Sequence, residues 1–314
     1  MNIIVTGATG FVGSRLVDRI GRQGVYGLTC AVRRAGSSSY GHEVLVEGLN
    51  SETDWSAALK DQEVVVHAAA RAHVMKEEAA DLLAEYRKVN VDGTLNLARQ
   101  AVDAGVKRFV YISSIKVNGE GTIEGVPFNA DDLPAPQDPY GISKMEAEEC
   151  LKRLAAEYGM EVVIVRPPLV YGPGVKGNFA SMMKLIEKGL PLPLGAVGNK
   201  RSLVALDNLI DLIVTCIDHP AAANQIFLAG DGEDLSTTQL LRGVARAMGK
   251  RPCLVPVPPG LLLVGASLLG KKAIAQRLLG SLQVDISKAR DLLGWQPPLS
   301  VEEGLAKAVG SQVD

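Results

Sequence analysis

Short apolar runs alternate with helix-length stretches through the first half of the chain. Residues 3–5, 28–32, 64–68, 109–112 and 161–165 read as strands, with a further one at 43–46. Residues 11–22, 80–104 and 140–158 carry helical patterns between and after them. Strands separated by helices predict βαβ units and a parallel sheet. The strands are continuously apolar rather than alternating, as expected where helices cover both faces of a sheet. After Arg166 the pattern changes. Pro167, Pro168, Pro173, Pro191 and Pro193 punctuate a loop-rich stretch with one helix near 179–188. Residues 204–218 and 226–229 read as a return to the main sheet, and from Leu235 onward the chain is mainly helical. The expected fold class is α/β: a Rossmann-type doubly wound parallel sheet with a smaller, mainly helical C-terminal lobe. Residues 1–170 with about 204–232 would form the larger domain, and 171–203 with 233–314 the lobe.

The junction of the first strand and first helix carries Gly7, Gly10 and Gly13 in Thr6-Gly7-Ala8-Thr9-Gly10-Phe11-Val12-Gly13. Gly7 suits a tight turn, Gly10 a close backbone approach to a pyrophosphate, and Gly13 close helix–strand packing. The N–H groups at the helix start would then face phosphates. This turn predicts dinucleotide binding by Gly7, Thr9, Gly10, Phe11, Val12 and Gly13. The second strand ends in Ala31-Val32-Arg33-Arg34, with no acid to bind a ribose 2′-hydroxyl. Guanidinium groups pair well with a 2′-phosphate. NADP(H) is therefore favoured, with NAD(H) possible. The fourth strand ends in His67-Ala68-Ala69-Ala70. The alanines leave room for a cofactor ring, whereas His67 reads more readily as a structural histidine than as a catalyst.

Tyr140 and Lys144 stand four apart at the start of a helix after Pro139, so they share a helical face. A nearby ammonium favours the phenolate and lowers a tyrosine pKa, giving an acid or base usable near neutrality. The lysine can also hold the nicotinamide ribose. Upstream, a strand ends in Ser113-Ser114. Ligands of open parallel sheets sit at the carboxyl ends of strands, and Ser114 is the better candidate to hydrogen-bond a reacting oxygen. Asn90 is placed to bridge helix and strand backbone.

Composition narrows the partners. Hydrophobic residues make up 47% and charged residues 22% of 314, with a net charge of -2, so no basic field favours nucleic acid. Cys30, Cys150, Cys216 and Cys253 are far apart and form no CxxC pair, so neither a metal site nor a disulfide framework is expected. The start of the chain is a strand running into a glycine turn, not a signal peptide, which makes the cytoplasm the default location. No membrane insertion is expected. The apolar stretch 261–269 is too short to span a bilayer and reads as a buried helix in preference to a membrane-surface contact.

Taken in order, these motifs resemble the extended short-chain dehydrogenase/reductase family, the group of nucleotide-sugar epimerases, dehydratases and reductases. Further matches are Arg166-Pro167, Val170-Tyr171-Gly172-Pro173, Arg201 before Ala205-Leu206-Asp207, Asp285-Ile286-Ser287-Lys288 and Leu293-Gly294-Trp295. More closely, the chain looks like bacterial UDP-glucose 4-epimerase-like proteins, some of which are 4-reductases. The resemblance implies that Ser114, Tyr140 and Lys144 are catalytic and that Pro167 lies against the cofactor. It places Arg201 on the substrate diphosphate, with Asn178 and Lys116 as further substrate contacts. A helix-paired homodimer is implied as well. The acid–base pair of a 4,6-dehydratase is absent, since Ser114-Ile115-Lys116-Val117 stands in its place. Leu169 replaces an asparagine frequent in the epimerases, and no aspartate for the adenine is evident after the third strand. The favoured expectation is an NADP(H)-dependent reductase of the C4 ketone of a UDP-4-keto-6-deoxy-(N-acetyl)hexosamine, serving surface-polysaccharide sugar synthesis. The alternative is a UDP-hexose or UDP-N-acetylhexosamine 4-epimerase with retained NAD. A non-catalytic dinucleotide sensor is the least favoured reading.

Overall fold

The computed structural model describes residues 1–72 and 81–310. Its ten strands among the described residues are β1 (Asn2–Thr6), β2 (Gly27–Val32), β3 (His42–Leu45), β4 (Val64–His67), β5 (Arg108–Ile112), β6 (Glu161–Arg166), β7 (Leu169–Tyr171), β8 (Arg201–Ala205), β9 (Ile226–Leu228) and β10 (Asp234–Leu235). The helices are α1 (Phe11–Gln23), α2 (Ser56–Leu59), α3 (Leu82–Arg87), α4 (Thr94–Asp103), α5 (Pro139–Tyr158), α6 (Asn178–Glu187), α7 (Leu206–Asp218), α8 (Thr237–Ala247), α9 (Pro259–Leu268), α10 (Lys272–Leu279), α11 (Ser287–Leu293) and α12 (Val301–Ala308).

Seven strands form one parallel sheet in the order β3-β2-β1-β4-β5-β6-β9. This is the doubly wound Rossmann-like arrangement expected from the sequence. Chain order reverses between β1 and β4, which opens a crevice at their carboxyl ends. Each face is sealed by its own core. Leu16, Val17 and Ile20 of α1 join Leu209, Leu212, Ile213 and Cys216 of α7 on one side. Leu97, Ala98 and Ala101 of α4 join Ala147, Leu151 and Leu154 of α5 on the other. The central β4 residues are buried from Val64 to His67, which explains why no polar alternation marks that strand.

Three expectations change in the structure. β8 does not return to the main sheet. It pairs with β7 and β10 in a second, three-stranded sheet, and the return is made by α7 and β9. Pro167, Pro168 and Pro173 flank β7, and β10 has only two residues, so neither partner of β8 stands out in the sequence. The second sheet packs with α6, α8 and α12 through Tyr171, Phe179, Leu203, Leu241 and Leu305. The long helix expected at 80–104 is α3 and α4 joined by a π-helical turn over Lys88–Gly93; Ala80 lies outside the described residues. The stretch expected to be a buried helix is α9, in which no residue is buried. Apolar composition alone called for burial, but α9 packs mainly on α10 and buries none of its residues fully. Among the described residues, no helix is long and apolar enough to cross a membrane.

Candidate active site

The glycine turn closes against the end of β4. Gly7 has φ 69°, and a Cβ there would lie 2.6 Å from the Ala69 nitrogen and 2.8 Å from the Ala68 carbonyl carbon. A Cβ on Gly13 would lie 2.0 Å from the Gly7 oxygen. Only glycine permits both contacts. Gly10 is the N-cap of α1 and offers no side-chain cap, and the first turn carries no acid. The leading N–H groups of Phe11, Val12 and Gly13 therefore have no intrahelical acceptor, which fits an anionic pyrophosphate. Thr9 and Gly10 are exposed, and Phe11, Val12, Ala68 and Ala69 are half-buried around the crevice. The residues present thus fit a dinucleotide. Gly13→Ala is expected to push α1 off the turn and weaken dinucleotide binding roughly tenfold or more, read by calorimetric titration; unchanged affinity would refute this use of the turn.

His67 does not face the crevice. It is fully buried, with Nδ1 2.6 Å from the Thr6 hydroxyl and Nε2 3.0 Å from the Thr94 hydroxyl. Its expected cofactor contact is corrected: burial turns the ring into the sheet, and only its neighbours Ala68 and Ala69 reach the crevice. Burial, aided by the charge of Lys144, lowers its pKa to about 3. The unfolded chain therefore binds a proton between about pH 6.5 and 3 that the folded chain refuses. Stability should fall as pH drops through that window, by up to about 1.4 kcal/mol per pH unit. Urea unfolding at pH 7 and pH 5.5 reads the slope, and His67→Gln should flatten it.

The two hydroxyls at the end of β5 have different surroundings. Ser113 is buried and donates to Glu148 Oε1 at 2.5 Å. Ser114 is half-buried, and its Oγ accepts from the Lys116 backbone N–H at 3.3 Å. Tyr140 lies in the first turn of α5, which Asp138 caps by accepting from Gly141 N–H at 2.6 Å with Pro139 at the first position. A Cβ on Gly141 would approach the Lys116 carbonyl to 2.9 Å, so the α5 start rests directly on the segment after Ser114. An ion pair from Lys116 to Asp138 ties the two together, and Lys116 also reaches Glu120 at 3.0 Å. Lys116, expected to touch substrate, is held by two carboxylates and so clamps the Ser114 and Tyr140 turns together.

Lys144 is buried, donates to the Ile112 carbonyl at 2.7 Å and lies 4.1 Å over the Tyr111 ring. Burial lowers its pKa to about 7 despite the opposing field of Glu148. Tyr140 behaves contrary to the sequence expectation. Its pKa is pushed up to about 12, chiefly by burial, with Asp138 and Tyr86 adding to the effect. The desolvation of the phenol outweighs any help from an ammonium that is turned toward a carbonyl. The Tyr86 ring meets Tyr140 edge-on at 5.8 Å.

The other expected contacts differ in exposure. Pro167 is buried after β6, and its carbonyl accepts from Ile115 N–H at 3.0 Å. Arg33 and Arg34 are exposed past the end of β2. The loop behind them is held by Glu43, which accepts from Gly36 and Ser38 N–H groups at 2.6 Å each. Arg201 donates to the carbonyls of Arg277 at 2.7 Å and Gly280 at 3.2 Å, and burial lowers its pKa. Asn178 opens α6, and its side chain lies outside the described residues. Asn90 accepts from Arg71 N–H at 2.8 Å and donates to the Ser143 hydroxyl at 3.0 Å. The π-helical turn aims it there.

Two supports escaped the sequence reading. Arg166 and Glu148 form a buried bidentate ion pair beneath Ser113. Asp231 accepts from Tyr171, Ala205 and Asn208, joining both sheets. A charged residue four positions after Lys144, on the buried face of α5, is the one sequence signal that pointed to the first.

The model of the NAD dependent epimerase/dehydratase family matches residues 3–230. The chain belongs to this family. It is an enzyme of the extended short-chain dehydrogenase/reductase type, as its motifs indicate. Among curated relatives, a UDP-glucose 4-epimerase of Vibrio cholerae is 53% identical over 304 residues, covering 96% of this chain and 93% of the relative. A UDP-glucose 4-epimerase of Thermotoga maritima, solved with UDP-glucose, superimposes with a TM-score of 0.76 at 26% identity, covering 99% and 98% of the two chains. MoeE5 in complex with UDP-glucose and NAD gives 0.78 at 25% identity, again covering 99% and 98%.

Proposed function

We propose that the protein is a UDP-hexose 4-epimerase that keeps its NAD bound through the reaction. The observation that carries this reading is the 53% identity to a relative named UDP-glucose 4-epimerase, in a chain that carries Ser114, Tyr140, Lys144 and the glycine turn. It replaces the C4-ketoreductase as the main reading, since the similar proteins named above are epimerases or hold NAD. When bound, NAD would supply the hydride acceptor and return the hydride. The α1 amides hold the pyrophosphate, and Ala68 and Ala69 leave space at the ring. Tyr140 takes the proton of the C4 hydroxyl as C4 loses its hydride, leaving a ketone steadied by the Ser114 hydroxyl. After the sugar turns, the hydride returns to the opposite face of C4 and Tyr140 gives the proton back. No net oxidation remains. Lys144 favours the phenolate in the first half and holds the nicotinamide ribose. Arg201 and Asn178 are assigned to the diphosphate end, in the lobe formed by 171–203 and 233–314.

The test is incubation with UDP-glucose and no added cofactor. UDP-galactose should form, and heat-denatured protein should release NAD⁺. A second reading, the NADPH-dependent 4-ketoreductase, is favoured by the exposed Arg33-Arg34 pair and the lack of an acid at the end of β2. Stoichiometric NADPH loss with a UDP-4-keto-6-deoxy-N-acetylhexosamine, without hexose interconversion, would establish it in place of the epimerase. The proposal includes a homodimer through α4 and α5; a monomer mass by light scattering at micromolar concentration would remove it.

A further inference from the structure

The apolar stretch after Pro258 faces water. In α9, Leu261, Val264 and Leu268 share one side by their spacing and are 64%, 59% and 84% exposed. Leu269 is 74% exposed. α10 packs on α9 as a hairpin and adds exposed Ile274 and Leu278. This many exposed large apolar side chains on one packed helix pair marks a contact.

Charge identifies the contact. Between Leu235 and Val284 there are seven basic residues and no acidic one, in a chain whose net charge is -2. Lys271 and Lys272 lie exposed at the hairpin bend, and Arg277 is exposed on α10. Lys250 and Arg251 are exposed shortly before α9. A second copy of this chain would bring the same basic side chains to the contact rather than opposite charge. We propose that the α9–α10 hairpin seats this protein on the anionic surface of a phospholipid bilayer. Leucines enter the headgroup boundary, and the lysines meet lipid phosphates. The ten residues of α9 reach only about 15 Å, half of a hydrocarbon core, so the hairpin lies on the membrane rather than through it. The hairpin has a firm base. Leu278 O accepts from Asn199 and Thr237, and the carbonyls of Arg277 and Gly280 hold Arg201. Seating therefore orients the smaller lobe against the bilayer.

Flotation of the whole protein with vesicles tests this, using equal parts phosphatidylcholine and phosphatidylglycerol beside phosphatidylcholine alone. The protein should float with the anionic vesicles. K271E/K272E should weaken that binding by at least about 25-fold, near fivefold per basic residue. L268Q/L269Q should also abolish flotation, with an unchanged thermal midpoint because both side chains are already in water. Absence from the floated fraction overturns the proposal. So does flotation that either double variant leaves intact. An oligomer seen by light scattering without lipid, and dissolved by L268Q/L269Q, would assign the face to a second copy instead.

Discussion

Tyr140→Phe is expected to lower turnover about a hundred- to ten-thousand-fold, the usual contribution of a positioned proton donor and acceptor. Cofactor binding should survive. Phenylalanine fills the same space and keeps the edge contact with Tyr86, while the α1 amides that would hold the pyrophosphate are untouched. The phenol in the bare protein sits at a pKa of about 12. It is therefore protonated at neutral pH, and becoming a base depends on the charges the loaded site brings to it. Lys144, with its pKa near 7, retains only part of its charge at neutrality until such partners arrive. The measurement is initial-rate turnover of UDP-glucose, with bound NAD⁺ quantified after denaturation. Near-normal turnover in a variant that still binds NAD would overturn the role given to Tyr140.

Glu148→Ala should cost about 3–5 kcal/mol of stability. Glu148 and Arg166 are each 1% exposed. The carboxylate accepts from Arg166 Nε at 3.0 Å and Nη2 at 2.5 Å, and from the Ser113 hydroxyl. Arg166 Nη1 donates to Asn118 Oδ1 at 3.0 Å. Truncation strands a guanidinium in the interior with one neutral partner, and a buried charge without its counterion is far costlier than the pair is favourable. Removing both charges in Glu148→Leu/Arg166→Met should recover much of the loss. Urea unfolding of the two variants reads the difference. A single-variant loss below about 1 kcal/mol would show that water or another group compensates the arginine. Because Ser113 precedes Ser114, the single variant should also slow turnover, with a smaller effect in the double variant.

The sequence alone determined the parallel sheet and the glycine turn, and it singled out the trio proposed as catalytic. These are local or periodic signals. A βαβ pattern repeats along the chain, Gly7 and Gly13 each answer a steric demand within one turn, and Tyr140 and Lys144 share a face through helical spacing alone. The same locality made Ser114 the better candidate than Ser113. Tertiary structure decided what depends on which distant groups converge. Lys116 became a clamp only because Asp138 and Glu120 reach it. His67 left the crevice because Thr6 and Thr94 hold its ring inside the sheet. β8 joined a second sheet because its partners, β7 and β10, lie about thirty residues away on either side. The Tyr140 pKa rose where spacing had argued for a fall, since desolvation is a property of everything packed around the phenol. For α9 the sequence supplied apolar character but not its direction. Whether ten apolar residues face a core or the solvent is set by the neighbours the fold provides, and here the main one is the short helix α10.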